Sequence, residues 1–193
     1  MKKSKNSKVK SKNYKSKIKE PSKGLVITYY GNGKGKTTAA LGLALRASGY
    51  KKKVLIIQFV KGDWTSGEEK AVENLKTVKL VKSGAGFVGI LDDKKPIGIH
   101  QEAAQKGLSL AQKSLSNHEV IILDEILGAV KGGLVSQKDV LEIIDRKPQN
   151  SILVLTGRPK INPVLKKSDL ITEMRCIKHP FDRDIMAIKG IDY

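Results

Sequence analysis

Cysteine is almost missing from this chain: Cys176 is the only one, so no internal disulfide can form. Histidine is scarce too, and His100, His118 and His179 are too scattered for zinc-type ligand spacing. No apolar run approaches the length of a bilayer span. The N-terminus is basic, but the apolar stretch that would make it a signal peptide does not follow. These absences point to a cytoplasmic protein under reducing conditions. Acidic residues are also in deficit, with 19 Asp and Glu against 37 Lys and Arg, for a formal net charge of +18.

The location of that charge matters more than its sum. Residues 1–23 hold ten lysines and one glutamate, which is half of the excess. The segment "MKKSKNSKVKSKNYKSKIKEPSK" has few apolar residues and a Pro-Ser break at its end. It cannot bury enough surface to offset chain entropy and is expected to be a flexible tail: a solubilising arm, a segment that binds RNA or an anionic surface, or a lid that closes on a ligand. Tyr14 is its only aromatic residue, which argues against stacking on nucleic-acid bases. Residues 24–193 are expected to form one domain, a length sufficient for a hydrophobic core without staples.

Within that domain, short apolar runs alternate with helical patterns. Strands are expected at Leu25 to Tyr29, Val54 to Val60, Val78 to Val81, Val120 to Leu123, Ser151 to Leu155 and Leu170 to Met174. Several are almost continuously apolar, as strands covered on both faces should be. Helices are expected from about Thr37 to Ser48, ending at Gly49, along Ala104, Leu108, Ala111 and Leu115, and from about Ser136 to Arg146. The alternation predicts an α/β fold with a doubly wound, mostly parallel sheet and ligands at the carboxyl ends of its strands.

One segment carries specific chemistry. In "VITYYGNGKGKTTAALGLAL" an apolar strand runs through a glycine-rich turn into a helix opened by Lys36, Thr37 and Thr38. This is the context of a phosphate-binding loop, although the usual GxxxxGK[ST] spacing would place its first glycine at Tyr30, and here it is Gly31. Gly31, Gly33 and Gly35 would let backbone N–H groups curve around phosphates, with Asn32 and Lys34 between them and the helix N-terminus behind. Lys36 would contact phosphate oxygens, and the Thr37 hydroxyl would complete the coordination of Mg2+. "EVIILDEILG" supplies the carboxylates this requires, Asp124 or Glu125, at the end of a strand expected beside the loop. Arg158 in "LTGRP" follows another strand and could reach nucleotide, and Lys61 and Trp64 in "KGDWTSGE" could line a substrate entrance.

The motifs "GNGKGKTTAA", "QFVKGDWTSGEE", "GAGF", "ILDEI", "LTGR" and "KHPFDRDIMAIKGIDY" occur in this order between Gly24 and Tyr193. In that combination the chain resembles the P-loop ATP:corrinoid adenosyltransferases of the CobA/BtuR type. The resemblance implies a RecA-like P-loop NTPase fold, a homodimer, and transfer of the 5′-deoxyadenosyl group of ATP to a cobalt(I) corrinoid with release of triphosphate. It implies an electron donor that reduces cobalt(II), and a role in adenosylcobalamin biosynthesis or corrinoid salvage. By position, Gly31 to Thr38 would hold the triphosphate, Thr37 and Glu125 the Mg2+, and Gly86 and Phe87 the corrinoid. Many relatives carry tryptophan two residues beyond that phenylalanine, where this chain has Gly89. Two other readings compete: a P-loop nucleotide kinase or ATPase, and a RecA-like nucleic-acid-binding ATPase suggested by the basic charge.

Overall fold

The computed structural model describes residues 23–61, 65–86 and 94–191. The lysine-rich segment up to residue 22, Trp64, Phe87 and Gly89 lie outside the described residues.

Six strands form one parallel sheet: β1 (Val26–Tyr30), β2 (Val54–Gln58), β3 (Val78–Lys82), β4 (Val120–Asp124), β5 (Ile152–Gly157) and β6 (Leu170–Glu173). Their order across the sheet is β3-β2-β4-β5-β1-β6. Among the described residues, six helices are interspersed with them: α1 (Lys36–Gly49), α2 (Gly67–Val72), α3 (Ile97–Ser114), α4 (Ile126–Lys131), α5 (Gln137–Arg146) and α6 (Asn162–Lys166). The expected doubly wound α/β sheet is therefore present.

Side-chain alternation along the strands divides the core between the two faces. Leu55 and Ile57, Ile121 and Leu123, and Leu153 and Leu155 join α3, α4, α5 and α6 in one buried cluster. Val54 and Ile56, Val120 and Ile122, and Val154 point the other way and join Ala40 and Ala44 of α1 and Val72 of α2. Parallel strands buried on both sides read as unbroken apolar runs, which is why β2, β4 and β5 were legible. Truncating one of these fully buried Ile or Leu residues to Ala would cost about 2–5 kcal/mol.

Three elements depart from expectation. β2 stops at Gln58, where its ladder with β4 ends at the Gln58–Asp124 pair, so Phe59 and Val60 leave the sheet. β5 runs on to Gly157 because β1 continues to pair with it through Tyr30. β6 is an exposed edge strand, not one covered on both faces.

Candidate active site

β1 explains the displaced first glycine. Tyr30 is still a strand residue, buried and paired with Gly157 on one side and Glu173 on the other. The turn begins only at Gly31, whose φ of 112° lies in the region that favours glycine, and a Cβ there would sit 2.3 Å from the Met174 carbonyl oxygen. The Gly31 N–H donates to the Arg158 carbonyl at 3.2 Å, and the Gly33 N–H donates to the Met174 carbonyl at 2.7 Å. These two amides hold the loop in place rather than facing a phosphate. The N–H groups that suit an anion are those of the first turn of α1, which has no side-chain cap.

Lys36 opens α1 and is buried, with its ammonium donating to the Gly33 carbonyl at 2.8 Å. Burial lowers its pKa from the usual lysine value; Arg158 adds to this, and Glu125 and Asp124 oppose it. A lysine partly stripped of water and bordered by an arginine gains most from a phosphate arriving beside it.

Below the loop, the core alternation ends in polar groups. On the face that carries Ile56, Ile122 and Val154, the next inward positions are Gln58, Asp124 and Thr156, all essentially inaccessible to solvent. Asp124 gathers the other side chains around it. Its Oδ1 accepts from Thr37 Oγ1 at 2.8 Å and from Thr156 Oγ1 at 2.8 Å, while Oδ2 accepts from Gln58 Nε2 at 3.1 Å. Thr156 Oγ1 also accepts the Glu125 N–H at 2.8 Å. Because the Thr37 hydroxyl spends its proton on Asp124, its oxygen lone pairs are left for a cation. The carboxylate strand is not next to β1 as expected; β5 lies between them, and Thr156 of β5 bridges the gap.

Glu125 caps α4 from a left-handed backbone position, φ 61°. Burial raises its pKa above the usual carboxylate value, Asp124 raises it further, and Lys36 and Arg158 oppose the shift. Asp124 has its oxygens committed to the protein, so Glu125 is the carboxylate with capacity for a new partner. Gln58 Oε1 is buried with no hydrogen-bond partner. Among the described residues there is no cluster of three or more His, Cys, Asp or Glu side chains. The donors that do face the cleft, the Thr37 hydroxyl and the Glu125 carboxylate, are hard oxygen groups of the kind Mg2+ accepts when phosphates and waters complete its shell.

A cleft of about 710 Å3 opens over these groups. Asn32, Gly33, Lys34, Gly35, Lys36, Thr37, Thr38, Lys61, Glu125 and Arg158 all line it, so most of the residues expected to act together are brought together. Lys61 is held there by Glu68 Oε1 at 3.2 Å. Gly31 lies just behind the cleft, and Gly86, with φ 118°, is not among its lining residues. Leu41, Leu45, Ala71 and Leu75 give the cleft an apolar flank, and Gly190 and Ile191 reach it from the far end of the chain. His179 also borders it, but its Nδ1 accepts the Phe181 N–H and caps the 3-10 turn Pro180–Arg183, a structural role.

Gln58, Thr156 and Glu68 went unread in the sequence. A signal for the first two exists: "VLIIQ", "VIILD" and "ILVLT" are three apolar strands, each running into one polar residue at the carboxyl end.

Residues 22–193 match the family ATP:corrinoid adenosyltransferase BtuR/CobO/CobP. The chain belongs to that family. Corrinoid adenosyltransferase of Escherichia coli (strain K12) is 33% identical over 173 residues, covering 89% of this chain and 86% of the relative. Corrinoid adenosyltransferase CobA of Salmonella typhimurium is 33% identical over 172 residues, with 89% and 86% covered. Among solved structures, a KaiC-like protein, PH0186 of Pyrococcus horikoshii OT3, aligns over 79% of this chain and 73% of its own, with a TM-score of 0.49 and 11% identity. The activity of this adenosyltransferase family member is transfer from ATP to a corrinoid.

Proposed function

We propose that residues 24–193 act as one catalytic unit in which the phosphate loop holds the leaving group of ATP. The observation that carries this reading is the Thr37–Asp124–Thr156–Gln58 cluster beneath an uncapped helix N-terminus and beside Lys36. Lys36 and the first-turn amides of α1 bind and orient three linked phosphates, while Thr37 and Glu125 hold Mg2+, with Asp124 fixing the Thr37 hydroxyl. When bound, Mg2+ neutralises charge on the phosphate oxygens. Arg158 contributes a further positive charge at the mouth of the cleft.

The reaction displaces oxygen from carbon. The cobalt(I) of the corrinoid supplies an electron pair to the ribose 5′ carbon, the bond from that carbon to its phosphate oxygen breaks, and triphosphate departs with the pair from that bond. The nucleophile carries no proton, so the protein need only align it and stabilise the departing charge. The buried Gln58 amide serves that task only indirectly, by holding Asp124, which in turn fixes the Thr37 hydroxyl. Lys61, Trp64, Gly86 and Phe87 are assigned to the corrinoid side. The enzyme works in the cytoplasm, where a reducing environment and an electron donor maintain the cobalt, and it works as a homodimer.

Anaerobic incubation with ATP, Mg2+ and chemically reduced corrinoid tests the reading. A cobalt–carbon bond in the visible spectrum and one equivalent of triphosphate are the expected products. ADP or orthophosphate without an alkylated corrinoid would instead support the kinase or ATPase alternative, and nucleic-acid-stimulated ATP turnover would support the third reading.

A further inference from the structure

A second opening, of about 470 Å3, lies at the carboxyl ends of β5, β1 and β6, on the β6 side of the phosphate loop. Among the described residues it presents three cations, Arg158, Lys160 and Arg175, and a single carboxylate, Glu173. That carboxylate is already taken, because Arg175 donates to Glu173 Oε2 at 2.9 Å. Glu173 also feels Lys160, so one acid faces three cations and the described lining keeps a net charge of +2.

Its walls are tied to the loop. The Arg158 carbonyl accepts the Gly31 N–H, the Met174 carbonyl accepts the Gly33 N–H, and the Cys176 N–H donates to Asn32 Oδ1 at 3.1 Å. The cations are therefore carried on backbone that the loop itself holds in register. Arg158 and Asn32 line both this opening and the nucleotide cleft.

We propose that this opening is a second anion-binding site, and that its ligand is an oligophosphate. A net charge of +2, spread over the Arg158 fork, the Lys160 ammonium and an Arg175 that shares its charge with Glu173, suits a chain of linked phosphates, whereas one carboxylate would balance only half of it. Two sources could supply such an anion: the triphosphate displaced from the adjoining cleft, or free oligophosphate from solution. The site does not rest on the adenosyl-transfer reading; only the choice of source does.

Inorganic tripolyphosphate titrated calorimetrically into the full chain carrying Lys36→Met, which disables the phosphate loop, provides the test. Binding should persist, and adding Lys160→Gln and Arg175→Gln should weaken it about tenfold or more. Lys160→Gln alone, at an exposed position, keeps the comparison valid should the double change disturb folding. No binding in the Lys36→Met chain, or binding unmoved by the Lys160 and Arg175 changes, would overturn the proposal; binding to the N-terminal lysines would give the latter result. A second arm identifies the source. With the loop intact, slower triphosphate release in the Lys160→Gln, Arg175→Gln enzyme assigns the site to product, and unchanged release assigns it to oligophosphate from solution.

Discussion

Glu125 combines a buried carboxyl with a neighbouring carboxylate, and both disfavour its charged form. Its folded pKa therefore lies above its unfolded one, and stability falls as pH rises between the two values, because the unfolded chain gives up this proton while the native state still holds it. A cation reverses the balance by favouring the ionised form. Mg2+–nucleotide affinity should then climb by up to about tenfold per pH unit below the Glu125 pKa and level off above it. In Glu125→Gln that slope should disappear, as isothermal titration across pH would show. Gln58 and Thr37 act on the same cluster from opposite sides. Thr37→Val or Gln58→Met should reduce Mn2+ affinity in the nucleotide complex by about 10–100-fold, read by electron paramagnetic resonance. A Gln58→Met protein that loses only thermal stability would show that the amide merely packs. The reach of the sequence at this scale is uneven. Lys36, Thr37, Asp124 and Glu125 sit in contiguous motifs and could be read directly, while Gln58 and Thr156 meet Asp124 only through strand register.

Between β1 and α1, the turn depends on glycine for two separate reasons, a left-handed backbone and a close carbonyl. Gly31→Ala should lower stability by about 1–3 kcal/mol in chemical denaturation, and it should weaken nucleotide binding as well, since Gly31 anchors the loop to Arg158. The long elements were legible because their periodicity extends over several turns or a whole buried strand: α1 ends at Gly49 as expected, and α5 begins after Ser136, whose hydroxyl accepts the Asp139 N–H. α2, α4 and α6 are five or six residues long, too short for a 3.6-residue period to show itself. α2 is instead specified by Ser66 and Glu69, where the Ser66 N–H donates to Glu69 Oε1 at 3.0 Å and Glu69 also pairs with Lys82 of β3. That local capping signal was present in "TSGEE" and is easily overlooked beside the motif that contains it.

Across the whole molecule, apolar surface gathers near the end of the chain. β6 exposes Leu170 and Ile171, and Ile177, Phe181, Met186 and Ile191 are exposed beyond it. A proposed homodimer gives that surface a use, since a second copy can cover an edge strand. Ile171→Lys should shift the sedimentation coefficient from dimer towards monomer if β6 takes part. The parallel sheet was legible from alternating runs, but its strand order was not, because nothing in the local sequence says that β5 inserts between the loop strand and the carboxylate strand. That insertion puts Arg158, at the end of β5, on the boundary between two openings. One guanidinium cannot serve two guests fully, so filling either chamber should make the other a poorer host. By thermodynamic reciprocity the penalty must be equal in both directions.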